Sequence, residues 1–319
     1  MSGGTGPRRQ RGIAAITAML VVTIATMLAI ELVWDLNLDV RRTQTLLLRD
    51  QAVQIALGAE VWVSDILRQD FEDDGGSGTD HLNEVWAQDI PPLPVEGGTV
   101  DGTVEDLQGR FNLNNLLDPQ GRKDPLAVDQ FRRLLRSLEL DAELADAVVD
   151  WIDPDQVAEL SGAEDDVYTS RTPPYRAANF WFTTTSELLA VSGIDGEVFR
   201  TLEPHVSALP VATGQAGALT RINVNTATGP VLRSLGDDVT DSTVEQWLED
   251  RPFDDMDAFM EATQELLDPA IRPYLDVGTA YFRLTVITSI GTTRLSMYSL
   301  LERNAQGVVI ARLRSFDAN

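Results

Sequence analysis

Between Leu138 and Ser170 the chain carries eleven Asp and Glu residues and neither Lys nor Arg. They gather in Asp150-Trp-Ile-Asp-Pro-Asp155 and Glu164-Asp-Asp166. Carboxylates this dense repel one another unless solvent or a cation relieves them, and their hard oxygens suit Ca²⁺. Pro154 fixes φ between Asp153 and Asp155, so the two side chains are oriented in what reads as a turn after a helix. Ca²⁺ takes roughly six to eight oxygens at about 2.3–2.6 Å. Asp153, Asp155, Glu164, Asp165 and Asp166 offer the anionic ones, and Asn179 an amide oxygen further on. The spacing is not that of an EF-hand. On the residues alone, a structural calcium loop and a solvated acidic loop both stand. Trp151 and Tyr168 are expected to pack beneath the loop.

Catalysis is the weaker use of the same residues. Two carboxylates across a cleft can serve as acid and base in a glycosidase, with Trp151 or Trp181 stacking on sugar. Asp153, Asp155 and Asp165 instead crowd one short region, where a cation holds them deprotonated. The sequence has no Cys, no Gly-rich phosphate loop and no HExxH, and its two histidines, His81 and His205, lie far apart. The chain reads as not an enzyme. A net charge of −25 argues against nucleic acid as a partner.

The elements that position these residues begin at the N-terminus. Arg8, Arg9 and Arg11 precede Gly12, and Ile13 to Ile30 then runs without a charge. A basic flank before a spanning-length apolar stretch places the N-terminus in the cytoplasm and the bulk of the chain across the membrane. A cleaved secretory signal fits poorly, because the apolar stretch is long and passes into another helical pattern. A signal anchor and a prepilin-type leader cut after Gly12 both fit. The second explains the glycine, which permits an extended, accessible scissile bond and leaves Ile13 as the first mature residue. The helical pattern continues, amphipathic, to about Gln69 and is stopped by the acidic, glycine-rich Asp70–Asp80 stretch.

Beyond the helix, two strand-like sets enclose a helical middle. Thr99 to Leu116 reads as strand and turn. Tyr281–Ile290, Thr292–Glu302 and Val308–Leu313 form an antiparallel meander with a hairpin at Asn304–Gly307. Leu126 to Val149 has helical spacing, and shorter helices are expected at 184–189, 232–235, 244–248 and 255–267. In Ile222-Asn-Val-Asn-Thr-Ala227, Asn225 or Thr226 is expected to cap the helix that follows. With only Arg221 and Arg233 nearby, a DNA-binding hairpin is disfavoured.

The Arg-Gly-Ile junction, the long N-terminal helix and the acidic soluble region resemble type IV pilin-like proteins. More closely, the chain resembles the minor pseudopilin GspK (XcpX) family of the type II secretion system. Gly12, Asn112–Asn114, Asp150–Asp155, Gly162–Tyr168, Asn179 and Ile222–Ala227 carry the resemblance. Most pilins have Glu at the fifth mature position. Here it is Thr17, and this family is the one that lacks the Glu, as suits a subunit at the tip. On residues alone, Thr17 is simply a tolerated polar residue in a spanning helix, facing its own backbone.

The resemblance implies an α+β fold in which the long helix packs on a pilin-like antiparallel sheet domain carrying a large α-helical insertion. The expected division is a leader over 1–12, the transmembrane and amphipathic helix over 13–75, sheet domain over 76–120 and 273–319, and the insertion over 121–272. It also implies structural Ca²⁺ at Asp153–Asp155 and Glu164–Asp166, with Asn179, and methylation after cleavage. The implied partners are other minor pseudopilins, a prepilin peptidase, the inner-membrane secretion platform and secreted proteins. The implied role is a minor pseudopilin at the tip of a periplasmic pseudopilus, anchored first in the inner membrane. The alternative is a signal-anchored periplasmic calcium-binding protein outside any pilus.

Overall fold

The 65-residue helix α1 (Arg9–Asp73) dominates the computed structural model, which describes residues 9–76, 78–88, 91–211, 219–263 and 266–316. At 1.5 Å per residue it is roughly 98 Å long. Its two halves meet different surroundings. From Ile13 to Leu47 its apolar side chains are exposed, with Ile16, Met19, Val33 and Trp34 all more than half so. From Ala52 the helix turns one face inward, burying Ala52, Ala56, Glu60, Val63 and Leu67 at three- and four-residue intervals. Thr17 Oγ1 donates to the carbonyls of Ile13 and Ala14, so its hydroxyl is satisfied within the helix. The helix begins at Arg9 and runs through Gly12 and Ile13 without a break. The extended junction expected at Gly12 is therefore helical here: the long apolar run propagates the helix backwards over the single glycine.

The buried face of α1 lies on a five-stranded antiparallel sheet, ordered β1 (Leu93–Val95), β2 (Gly98–Asp106), β7 (Tyr281–Ile290), β8 (Thr293–Arg303) and β9 (Val309–Phe316). Along β7 every second residue is buried, and Phe282, Leu284, Val286 and Ile290 meet Leu295, Met297 and Leu301 of β8 beneath the helix. Asn304 Oδ1 accepts from the Gln306 and Val308 amides, and Gly307 takes φ +78°, which closes the β8–β9 hairpin where the Asn-Ala-Gln-Gly sequence places it. Glu60, buried in the second half of α1, accepts from Ser299 Oγ at 2.6 Å and from Arg314 at 2.7 and 2.8 Å.

Between β2 and β7 the chain builds a second core, mostly helical. Its elements are β3 (Phe111–Asn112), α2 (Pro125–Ser137), α3 (Leu144–Ile152), α4 (Asp165–Thr169), α5 (Gly196–Leu202), β4 (Val206–Ser207), β5 (Ile222–Asn223), α6 (Gly229–Arg233), α7 (Asp241–Glu249), α8 (Met256–Ala262) and β6 (Leu275–Asp276). Two short parallel pairs, β3–β4 and β5–β6, tie its ends together. Phe131 stacks on Phe111 at 5.3 Å within this core. The run from Leu126 to Val149 is two helices. Asp124 caps the first through the Leu126 and Ala127 amides, and Glu139 at φ +59° breaks it before the second.

The Asn-Val-Asn-Thr segment does not cap α6, whose N-cap is Thr228. Asn225 instead brackets Phe253, donating to its carbonyl and accepting from its amide, while Thr226 Oγ1 donates to Asp106. Polar side chains in a loop can bond across space as readily as along the chain, and here the distant partners are buried and need them.

Candidate metal centre

Helix α3 delivers the first candidate ligands. Its buried face, Ala145, Val148, Val149 and Ile152, seats it in the helical core, and Asp153 ends it with extended backbone while its amide still reaches the Val149 carbonyl at 2.9 Å. Asp155 follows Pro154, exposed, its Oδ1 accepting from the Val157 amide at 2.7 Å. The chain then folds back so that Glu164, the residue before α4, lies beside them, buried. Asp153, Asp155 and Glu164 each place one carboxylate oxygen within 4.8 Å of the others.

Gly162 makes the fold-back fit: a Cβ there would stand 1.8 Å from Asp150 Oδ2. Asp150, fully buried under the loop, accepts from the Glu159 amide with both oxygens. Beneath it Trp151 and Tyr168 meet edge to face at 5.2 Å, and both are buried, as the sequence led us to expect.

The test of fit is what the oxygens lack. Asp153 Oδ1, both carboxylate oxygens of Glu164 and Asn179 Oδ1 are buried without a hydrogen-bond partner. An unmet buried acceptor costs about 1–3 kcal/mol, and the Asp153 and Glu164 oxygens, with Asp155 beside them, form an acceptor-only set that a hard cation satisfies. Burial, and then the negative charge of Asp150 and Asp153, push Glu164 up to about 7. Burial likewise raises Asp150 to about 6, and burial and Asp155 raise Asp153. Of the nearby cations, Lys123 bonds Glu159, and Arg176 lies 3.7 Å from Asp165, itself one of the expected ligands.

The other expected ligands are placed less centrally. Asp165 Oδ1 accepts from the Ala177 amide at 3.0 Å, and exposed Asp166 accepts from the adjacent Val167 amide. Asn179 is anchored by its amide to the Trp151 carbonyl at 2.9 Å and takes φ +46°, a conformation uncommon outside glycine. A second group with oxygens equally close, Asp70, Asp80 and Glu84, lies where α1 ends. In sequence that stretch reads only as a helix stop. Its Asp-Gly-Gly composition hid that Arg303, 223 positions beyond Asp80, enters it with Nη2 at 2.6 Å from Asp80 Oδ1. Asp150 was likewise seen as part of the acidic run but not as its buried floor.

Comparison with known proteins agrees with this architecture. Two family models described as type II secretion system (T2SS), protein K match residues 109–211 and 222–277, both within the helical region. The chain is 33% identical to type II secretion system protein K of Aeromonas hydrophila, covering 95% of this chain and 96% of that one. It is 35% identical to that of Pseudomonas aeruginosa, covering 95% and 91%. Among solved structures, the GspK-GspI-GspJ complex of the enterotoxigenic Escherichia coli type 2 secretion system matches with a TM-score of 0.76 and 26% identity, over 87% of this chain and 100% of that chain. With the fold, the relatives and the solved structure in agreement, the chain belongs to the type II secretion system protein K family, minor pseudopilins that serve pseudopilus assembly and export rather than catalysis.

Proposed function

We propose that this minor pseudopilin caps the tip of the pseudopilus, with two smaller minor pseudopilins as its direct partners. The observation that carries the reading is the contrast along α1: exposed apolar side chains to Leu47, then a face buried on its own sheet. A helix so built needs a second apolar environment. Lipid of the inner membrane supplies it first, with the folded lobes in the periplasm, and the helical bundle of the tip supplies it after assembly. A prepilin peptidase would cut after Gly12, and the new Ile13 amine would be methylated. The working division is a leader over 1–12, the helix over 13–75, and a sheet lobe interrupted after β2 and resumed at β7, with the helical lobe between them. The secretion platform and the secreted proteins are further partners.

The metal centre would hold Ca²⁺ through Asp153, Asp155 and Glu164, with Asn179, Asp165 and Asp166 completing the set. The ion would supply positive charge and bond to the orphaned oxygens, pinning the loop between α3 and α4. Intact mass and N-terminal sequencing of the protein from its native membranes test the processing claim. A chain beginning at Ile13 is expected, and a retained Met1–Gly12 in cells holding the peptidase would return the protein to the signal-anchored reading. Co-purification with the two smaller pseudopilins is expected from the same membranes, and its absence would remove the tip assignment.

A further inference from the structure

The sheet lobe and the helical lobe are joined by only two adjacent strands of chain, 107–110 going out and 277–280 coming back. A paired connection of this kind is the usual form of a hinge. Here it is enclosed by a continuous buried network. Gln108 bridges the lobes, donating to the Arg221 carbonyl at 2.8 Å and accepting from the Ala280 amide at 2.6 Å. Asp106, at the end of β2, accepts from Thr226 Oγ1 and Thr279 Oγ1 at 2.5 Å each and from Asn223 Nδ2 at 3.0 Å. The Asn223 amide group also donates to the Asp80 carbonyl and to Thr279 Oγ1, both at 3.0 Å. Asp80 accepts from the Thr279 amide at 2.6 Å and from Arg303.

Arg303 closes the circuit onto the stalk. It is 4% exposed, lies 5.3 Å from the Phe71 ring and 5.2 Å from the Phe282 ring, and donates to the Leu67 carbonyl at 3.2 Å and the Thr279 carbonyl at 3.0 Å. The backbones at the seam are also in close approach: a Cβ on Gly278 would stand 1.9 Å from the Gly78 carbonyl oxygen. Every donor of the network faces an acceptor on a different element, so a rotation of one lobe on the other breaks several buried bonds at once.

We infer that Arg303 is a positioning residue that locks the helical lobe in one orientation on the end of the N-terminal helix, through Asp80, Thr279, Asn223 and Asp106. The lock makes the two lobes one rigid cap, so a push or pull along the stalk helix reaches the helical lobe without a hinge in between. It lies apart from the metal centre and works without it. The consequence is specific: loss of the loop ion leaves the lobe orientation alone, and loss of the lock changes it in a folded protein.

The chain has no cysteine, so one label can be placed at exposed Val61 on α1 and another at exposed Gln246 on α7 of the full-length protein in detergent. The distance distribution between them, from pulsed electron spin resonance, is expected to be single and narrow, with and without a calcium chelator. Arg303→Met combined with Asp80→Asn removes the pair without leaving Asp80 as a lone buried charge, and is expected to broaden the distribution while the circular dichroism stays native. Arg303→Lys is expected to restore part of the narrow component. Gly278→Ala keeps every hydrogen-bonding group and wedges the seam, and is expected to shift the mean distance. A distribution unchanged in folded Gly278→Ala and in the folded double variant would overturn the inference, as would broadening of the native distribution on chelation.

Discussion

Two groups of three carboxylates in this molecule have nearly the same geometry and opposite solutions to the same problem. Asp70, Asp80 and Glu84 gather where the stalk helix ends, and Asp153, Asp155 and Glu164 gather where α3 ends. In the first group a guanidinium from β8 is built in, and none of the carboxylate oxygens is left buried without a partner. In the second, three carboxylate oxygens are buried and unmet, as is the Asn179 amide oxygen. A resident Arg gives a junction that needs no cation from solution. An acceptor-only loop gives a joint whose strength follows the supply of a cation. This chain thus carries its own cation at the inter-lobe seam and leaves the oxygens of the α3–α4 loop open to one from solution.

The comparison breaks most severely if Arg303 can be spared. Arg303→Met leaves Asp80 buried beside Thr279 with its charge unpaired, and removing one partner of a buried pair typically costs about 3–5 kcal/mol. Urea denaturation of the variant is expected to show a loss of that size. A change below about 1 kcal/mol, the range of exposed ion pairs, would mean the junction is no more than a surface bridge.

The next effect concerns the other group. Calcium at about one hundred times its dissociation constant is expected to stabilise the protein by about 2.7 kcal/mol, read as a rise in unfolding temperature. Glu164→Gln is expected to abolish most of that rise, and Asp80→Asn to leave it whole. If Asp80→Asn were the variant that lost the calcium response, the assignment of resident and imported cations would be reversed.

Acidity sharpens the contrast. Burial raises Asp80 to about 7 and Glu84 to about 8, Arg303 pulling Asp80 partly back and the Asp70 charge pushing Glu84 further up. Carboxyls raised above their unfolded values make the native state the greater proton binder between about pH 4 and 8, so stability falls as pH rises through that window. Glu164 and Asp150 add to the fall in the same direction. Thermal melts from pH 5 to 9 in chelator are expected to decline. Saturating calcium should remove the share belonging to the loop, and Asp80→Asn with Glu84→Gln the share belonging to the junction. Melts that calcium flattens completely would leave the junction no part in the pH dependence.

The legibility of the two groups in sequence differed for a physical reason. The loop acids lie within a dozen residues of one another, without a compensating base, and local charge density alone announces them. The long helix and the β7–β9 meander were equally readable, because their burial follows short periods along the chain. The junction was not, since Arg303 meets Asp80 across 223 positions and nothing near either residue marks the pairing. The same blindness turned Asn225 and Thr226 into expected helix caps, when their partners are Phe253 and Asp106. It also merged α2 with α3, because the left-handed turn falls on Glu139, a residue type that does not advertise it.

Asn179 offers the finest division between a ligand and a backbone device. Its φ of +46° is one that Asn tolerates and glycine prefers, and its Oδ1 is buried without a partner. Asn179→Ala disturbs both properties at once, since alanine pays about 1–2 kcal/mol in the left-handed region. Asn179→Gly keeps the backbone conformation and removes the side chain together with its oxygen. Without an ion that oxygen is an unmet acceptor, so its deletion is expected to leave the calcium-free stability unchanged or slightly higher. With calcium, a lost ligand weakens binding, and isothermal titration is expected to show a dissociation constant severalfold larger. Opposite signs in the two conditions identify a ligand. An unchanged calcium affinity in Asn179→Gly would instead assign Asn179 to the turn alone and leave the ion to the carboxylates, with water making up the remaining coordination.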